Sequence, residues 1–167
     1  MHGKPHPEKG RIEARRRKIF LEKYFPTLTP FPHSRDLLCE MRKSGLELVV
    51  ASSSDKEGLK RLLEQAGVAD LIEEKTSADD AEKSKPDPDI VKAALQKSGR
   101  AADSAVMLGD TPYDISAAAL SGVCCVALRC GGWDDEALAG AAEIYDNPAH
   151  LLVNYSTSIF ARASAAG

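Results

Sequence analysis

The sequence predicts a three-layer α/β fold, in which helices cover both faces of a parallel β-sheet. Short apolar runs alternate with segments of helical periodicity from residue 34 to residue 155, and this alternation is typical of βαβ units with right-handed crossovers. The apolar runs contain few polar residues, as expected for strands that are buried on both faces. A chain of 167 residues is long enough for one such core.

The segment before residue 34 has a different character. Residues 1–10 are polar, with two prolines and two glycines, and they predict a loop. Residues 11–25 carry apolar side chains at helical spacing and predict a helix with a charged outer face. Residues 26–32 contain three prolines, so we expect a connector that is not helical throughout.

Each later helix is predicted from periodic apolar residues that follow a capping residue and precede a glycine or a polar turn. Ser34 is the expected cap of the first of these helices, and Asp55 or Ser54 the expected cap of the second. The predicted helices span residues 34–43, 55–66, 88–98, 113–122, 134–141 and 148–155. The predicted strands lie at residues 46–51, within 70–77, and at 105–108, 124–128 and 143–146. Residues 156–167 are small and polar and are expected to fray.

The composition is that of an ordinary globular protein, with 43% apolar residues, 28% charged residues and a net charge of -3. This charge gives no reason to expect nucleic acid or an anionic membrane as a partner. The basic run Arg15–Lys18 is interpreted as a solvated helix face. No apolar run reaches the length of a membrane span or forms a signal peptide, so we expect a cytoplasmic protein. The four cysteines do not have zinc-site spacing.

Polar side chains follow two of the predicted strands. Ser52 and Ser53 come directly after residues 46–51, and Asp110 and Asp114 come after residues 105–108. Lys85 lies in the loop before the next helix. Ligands of open parallel sheets bind at the carboxyl ends of the strands. Taken singly, each residue also has a structural interpretation as a helix cap or a turn residue.

Taken together, these residues suit phosphoryl transfer. Magnesium prefers one or two carboxylates together with water and phosphate oxygens, and Asp110 and Asp114 are the candidate metal ligands. The Ser52 hydroxyl and the backbone N–H of Ser53 are candidates for binding phosphate oxygens. Lys85 is a candidate for neutralising the charge that develops during catalysis.

The chain resembles the haloacid dehalogenase superfamily, and most of all its phosphoglycolate phosphatase and β-phosphoglucomutase-like branch. The segment LELVVASSS resembles the second motif of the superfamily, SKPDPDI the third and VMLGDTPYDISAAALSG the fourth. The resemblance implies a Rossmann-like core with a helical cap, and magnesium-dependent hydrolysis of small phosphomonoesters through an aspartyl-phosphate. It implies phosphate binding and catalysis by Ser52 and Lys85, and magnesium binding by Asp110 and Asp114.

On this basis we expect residues 1–33 to be a remnant of the cap with its connector. Residues 34–155 are expected to form the core without its first strand, and residues 156–167 a flexible tail. The first motif of the superfamily, DxDxT, supplies the nucleophile and is not found in this sequence; Asp36 precedes Ser52 but lies in a predicted helix. We therefore expect weak magnesium binding and little or no phosphatase activity. We also expect exposed sheet edges that are covered by a partner chain, which includes a homo-oligomer, by a rearranged N-terminal segment, or by a separately supplied fragment.

Two other functions remain open at this point. The chain is also compatible with a non-catalytic module that binds phosphate or assembles through its exposed sheet. A receiver-like domain that accepts a phosphoryl group on Asp110 is the least favoured alternative, because it requires an acidic pair after its first strand. The sequence does not define the substrate.

Overall fold

The computed structural model describes residues 7–81 and 83–164, which belong to two compact units, Met1–Pro30 and Phe31–Gly167. In the first unit, helix α1 (Pro7–Ile19) continues into a π-helical turn, Phe20–Tyr24, and a short 3₁₀ turn, Phe25–Thr27. The predicted helix is confirmed, but it starts before residue 11. Residues 7–10 were expected in a loop and are helical, and proline is well tolerated in the first turn. Residues 1–6 of the expected loop lie outside the described residues.

The second unit contains the predicted alternation of strands and helices. Its strands are β1 (Val49–Ala51), β2 (Glu74–Thr76), β3 (Val106–Gly109), β4 (Cys124–Leu128) and β5 (Glu143–Tyr145). Its helices are α2 (Ser34–Lys43), α3 (Lys56–Gln65), α4 (Asp89–Ser98), α5 (Pro112–Leu120), α6 (Pro148–Val153) and α7 (Ile159–Ser164). Within the described part of the chain, no helix combines the length and apolar character that a membrane span requires.

The strands form two parallel sheets, β1–β2 and β3–β4–β5. Val49 pairs with Glu74 in the first sheet, and Val106 pairs with Cys124 in the second. Helix α4 connects β2 to β3 and packs against both β1 and β2. The α/β class with parallel strands is confirmed, whereas the expected single sheet is divided between β1 and β3.

Two apolar layers cover the sheets, one on each face. On one face, strand side chains that include Val50 and Leu108 pack against helices α2, α3, α6 and α7. On the other face, α4 and α5 pack with side chains that include Ala51 and Met107. Since β1 and β3 both contribute to both layers, the two sheets lie between the same helices. Both strands are only half-buried, although their sequences predicted burial on both faces.

The C-terminal segment differs from its prediction. Residues 159–164 form α7, and Phe160 is 4% exposed. The carboxylate of Glu143 accepts a hydrogen bond from the backbone N–H of Ile159 at 3.0 Å and pairs with Arg162 at 2.6 Å. These contacts attach the helix to β5, so the expected fraying is wrong for residues 159–164. Residues 165–167 lie outside the described residues.

Two further local predictions are wrong. Residues 134–141, expected to be a helix, form consecutive turns. Ser34 is the first residue of α2 rather than its cap, and its hydroxyl donates to the carbonyl of Phe31. The N-cap position belongs to His33, whose φ of 61° lies in the left-handed region. By contrast, of the two caps predicted for α3, Asp55 rather than Ser54 takes the position, and its side chain accepts from the N–H of Gly58.

Candidate active site

A buried ion pair connects the loop after β2 to the first turn of α5. The Nζ of Lys85 donates to the Oδ1 of Asp114 at 2.7 Å, and the two side chains are 16% and 8% exposed. Burial opposes the ionisation of Asp114. The hydrogen bond and charge of Lys85 outweigh burial, with help from the Thr111 hydroxyl and the Asp110 peptide, and lower the pKa of Asp114. The pair therefore brings together two of the residues that the sequence predicted for one site.

The second oxygen of Asp114 organises the turn between β3 and α5. Its Oδ2 accepts hydrogen bonds from the N–H of Asp110 at 3.2 Å and from the N–H and hydroxyl of Thr111 at 3.1 and 2.8 Å. Thr111 is the N-cap of α5, and its hydroxyl accepts from the N–H of Asp114 at 3.2 Å. This is a reciprocal capping box. The interpretation of Asp114 as a cap residue is therefore compatible with a place in the site.

Gly109 allows this turn to close. A Cβ on Gly109 would lie 2.4 Å from the Cβ of Asp114, a distance that side-chain carbons do not tolerate. A second glycine, Gly131, packs against the backbone of Asp110, and a Cβ there would lie 2.1 Å from the Asp110 carbonyl oxygen. Both glycines therefore determine how closely neighbouring segments approach the turn that contains Asp110 and Asp114, which we call the acidic turn.

Asp110 differs from Asp114 in its electrostatic environment. Its carboxylate is half-buried, and burial followed by the negative charge of Asp114 raises the pKa of Asp110, although Lys85 opposes this shift. Its side chain takes no part in the Lys85 ion pair. Two neighbouring carboxylates whose pKa values shift in opposite directions are typical of functional sites. Asp110 is thus the acidic group that gains most from a bound cation.

Ser52 and Ser53 lie where the sequence placed them, directly after β1. The N–H of Ser52 donates to the carbonyl of Thr76, and its hydroxyl accepts from the N–H of Ser54 at 3.1 Å. Ser52 is half-buried and Ser53 is exposed. The side-chain hydrogen bond of Ser52 is local, and it leaves the hydroxyl proton available as a donor.

The acidic turn can bind a divalent cation through the carboxylate of Asp110 and, less fully, through that of Asp114. Asp110 offers carboxylate oxygens outside the ion pair, whereas Asp114 uses Oδ2 for three protein donors and Oδ1 for Lys85. Among the described residues, no cluster of three or more His, Cys, Asp or Glu side chains forms a metal site. Such a donor set requires oxygens from phosphate and water to complete a magnesium shell.

Sequence reasoning missed the roles of Thr111, Gly109 and Gly131. The spacing of Thr111 and Asp114 is that of a capping box, so this role was readable from the sequence. The contact of Gly131 with Asp110 joins segments that lie after two different strands, and no local pattern predicts it. Trp133, in the loop after β4, makes an edge-to-face contact with Tyr113 in the first turn of α5, at 6.0 Å between ring centroids.

Comparison with known proteins places the chain in a class of hydrolases. Residues 3–128 match the family described as haloacid dehalogenase-like hydrolase. A phosphoglycolate phosphatase of Rhodospirillum rubrum is 32% identical over 137 residues, which is 79% of this chain and 57% of that protein. A pyrophosphatase, PpaX, of Oceanobacillus iheyensis is 31% identical over 88 residues, 53% of this chain and 41% of that protein.

The solved structures agree with the sequence matches. The crystal structure of a hydrolase from Pseudomonas syringae superposes with a TM-score of 0.81 at 26% identity, covering 92% of this chain and 72% of that one. The chain belongs to the haloacid dehalogenase-like hydrolase family. It spans about half the length of the curated relatives that it matches.

Proposed function

We propose that this polypeptide carries the phosphate- and magnesium-binding half of a cytoplasmic phosphatase that acts on small phosphomonoesters. The observation that carries the proposal is the buried Lys85–Asp114 pair at 2.7 Å, next to Asp110 with its raised pKa. A lysine ammonium beside two carboxylates at the ends of parallel strands suits a ligand that brings both phosphate oxygens and a divalent cation. The relatives named phosphoglycolate phosphatase and pyrophosphatase support a small phosphorylated compound as substrate, and the first of them supports a phosphomonoester.

The proposed roles follow from the chemistry of each group. Lys85 is a hydrogen-bond donor that carries positive charge, so its ammonium stabilises a phosphate oxygen while Asp114 holds it in position. The Ser52 hydroxyl and the Ser53 N–H donate to other phosphate oxygens. Asp110, together with Oδ1 of Asp114, holds magnesium. When bound, the metal supplies positive charge that neutralises the phosphate.

The proposal includes a limit on catalysis. In the superfamily, the nucleophile that forms the aspartyl-phosphate belongs to the DxDxT motif, and this sequence contains no DxDxT segment. No His or other base lies near Ser52 in the sequence that would activate its hydroxyl. We therefore propose that the chain by itself binds phosphate with magnesium but turns over phosphomonoesters slowly or not at all.

The experiment measures binding and turnover separately. Inorganic phosphate is titrated into the protein by calorimetry with and without magnesium, and hydrolysis of p-nitrophenyl phosphate is followed in parallel. We expect magnesium-dependent phosphate binding that is weakened about tenfold or more by Lys85→Gln, since a charge-assisted hydrogen bond is lost. Lys92→Gln, on the exposed face of α4, is the matched control and is expected to bind normally.

Different outcomes separate this proposal from its alternatives. Clear turnover that is abolished by Asp110→Asn contradicts the limit on catalysis. Absence of phosphate binding contradicts the proposed site and favours a role in assembly alone. Phosphate binding that Lys85→Gln and Lys92→Gln weaken equally also contradicts the site, because it indicates binding by surface charge.

A further inference from the structure

Arg129 closes a short loop at the carboxyl end of β4. We define the Arg129 loop as residues 129–135. The guanidinium of Arg129 holds the carboxylate of Asp135 through two hydrogen bonds, from Nε at 2.6 Å and from Nη2 at 3.0 Å. The loop begins with a 3₁₀ turn, Arg129–Gly131, and continues through Gly132, whose φ of 85° lies in the left-handed region. The first and last residues of the loop are therefore joined by their own side chains.

The same guanidinium connects the loop to the end of β5. Its Nη1 donates to the carboxylate of Asp146 at 2.6 Å, and Asp146 directly follows β5. The backbone N–H of Asp146 donates in turn to Nδ1 of His150 in α6, at 3.1 Å. Contacts between the arginine fork and carboxylates fix direction as well as distance. Arg129 thus gives the loop a defined orientation relative to β5.

The Arg129 loop contacts the acidic turn at two points. Gly131 lies so close to the backbone of Asp110 that a Cβ there would be 2.1 Å from the carbonyl oxygen. Trp133 packs edge-to-face on Tyr113, with 6.0 Å between the ring centroids. Asp110 and Tyr113 each directly precede one member of the capping box. The loop therefore contacts the turn on both sides of the hydrogen bonds that organise it.

Stability alone does not account for these contacts. The Arg129 side chain is 35% exposed, and those of Asp135 and Asp146 are 65% and 58% exposed. Ion pairs at this exposure contribute little to the free energy of unfolding. Binding responds more strongly, because small displacements of the groups that hold a metal or a ligand weaken binding severalfold or more.

We propose that Arg129 is a positioning residue of the candidate active site. Through Gly131 and Trp133 it holds the acidic turn in the geometry that binds magnesium and phosphate, and it contacts neither of them. The inference rests on the proposed function, because it concerns the same magnesium and phosphate site. It predicts that loss of the Arg129–Asp135 pair weakens binding more than it weakens the fold.

The test compares Arg129→Gln with Asp135→Asn in the full chain. Inorganic phosphate is titrated by calorimetry at a high, fixed magnesium concentration. The two variants change the net charge in opposite directions, so an effect of charge on an anion would have opposite signs. A positioning effect has the same sign in both, because either change opens the pair. We expect both variants to weaken phosphate binding about tenfold and the double variant to bind as weakly as Arg129→Gln.

Two further variants separate geometry from charge and from stability. Arg129→Lys keeps the charge but not the planar fork, so we expect it to restore little of the binding. Arg35→Gln is the matched control, because Arg35 makes the same kind of exposed bidentate pair with Asp70, at 2.7 Å for both bonds. That pair joins α2 to the turn Ala69–Leu71, and neither element carries a residue of the site. We expect Arg35→Gln to bind phosphate normally, and both glutamine variants to lower the urea midpoint by similar small amounts.

Two spectroscopic measurements follow the loop and the turn without a ligand. Trp133 is the only tryptophan of the chain, so its emission reports on the Arg129 loop. The N–H groups of Asp110 and Thr111 donate within the acidic turn, and their hydrogen exchange reports on the turn. We expect Arg129→Gln to shift the emission to longer wavelength and to accelerate exchange at both amides, whereas Arg35→Gln changes neither.

Several results would overturn the inference. They are normal phosphate binding by Arg129→Gln, opposite effects of Arg129→Gln and Asp135→Asn, and full restoration of binding by Arg129→Lys. A shifted Trp133 emission without faster exchange at Asp110 and Thr111 would also overturn it, because the loop would then move without the turn. If the unmodified chain binds no phosphate, the proposed function fails, and the exchange experiment decides the positioning role by itself. If Arg129→Gln does not fold, Asp135→Asn takes its place in each comparison.

Discussion

Replacement of Lys85 by methionine tests how much the buried ion pair stabilises the protein. Methionine retains an apolar stem but removes the cation that lies 2.7 Å from Asp114, a residue only 6% exposed. Removal of one partner of a fully buried pair costs about 3–5 kcal/mol. Because the Lys85 side chain is 16% exposed and Asp114 keeps its three other donors, we expect a loss of about 2–3 kcal/mol in the free energy of unfolding.

The loss should depend on pH. In the native protein the pKa of Asp114 is lowered, because Lys85 and the capping donors outweigh burial. This carboxylate therefore adds stability above its unfolded-state pKa of about 4, and the stability is lost as the pH falls through the lowered pKa. In the variant, burial acts without the opposing cation and the pKa of Asp114 rises. The ionised carboxylate then destabilises the variant near neutral pH, and protonation relieves this in acid.

Urea unfolding at about pH 7 and about pH 4 measures both effects. The difference between the native protein and Lys85→Met should be largest near neutral pH and smaller in acid. Lys92→Met, on the exposed face of α4, is the control and should change stability by less than about 0.5 kcal/mol. A Lys85→Met variant that behaves like this control, or that loses the same free energy at both pH values, would refute the reasoning.

Three further predictions concern packing. Gly109→Ala should lower the free energy of unfolding by about 1–3 kcal/mol, because its Cβ would lie 2.4 Å from that of Asp114; an unchanged urea midpoint would contradict this contact. Phe160→Ala should cost about 3–5 kcal/mol, since Phe160 is 4% exposed. Val153→Ala, at an 82% exposed position, should cost little, and equal effects would argue against a packed α7. Burial raises the pKa of the Cys125 thiol to about 12, so Cys125 should be the slowest of the four cysteines to react with iodoacetamide in a mass-spectrometric time course.

The sequence was sufficient to locate most helices and strands, because the relevant interactions are local. Apolar spacing placed α3 and α4 within a residue or two of their observed bounds, and Asp55 was one of the two caps predicted for α3. Residues 134–141 show the limit of this approach. Their composition favours a helix, but Asp134 accepts from the N–H of Ala137 and the segment continues as turns before β5.

The sequence also predicted part of the candidate site, because the position of a residue after a strand is a local property. Parallel strands place their carboxyl ends at one edge, so polar residues after β1 and β3 were expected at the same edge of the fold. That Lys85, 29 residues before Asp114, forms the ion pair depends on the path of the loop before α4. The approach of Gly131 to the Asp110 backbone depends on the loop after β4. Neither path is encoded in a local pattern.

The sequence by itself therefore determined the α/β class, the order of the elements and the residues available for a phosphate site. These properties follow from periodicity, capping and the chemistry of single side chains. Unpaired sheet edges were expected from the absence of the first motif, but only the tertiary structure decided that they belong to β1 and β3, that they are half-buried, and that the C-terminal residues fold back as α7. Each of these outcomes depends on which distant segment lies beside a given strand, and such pairings are established by packing of the whole core.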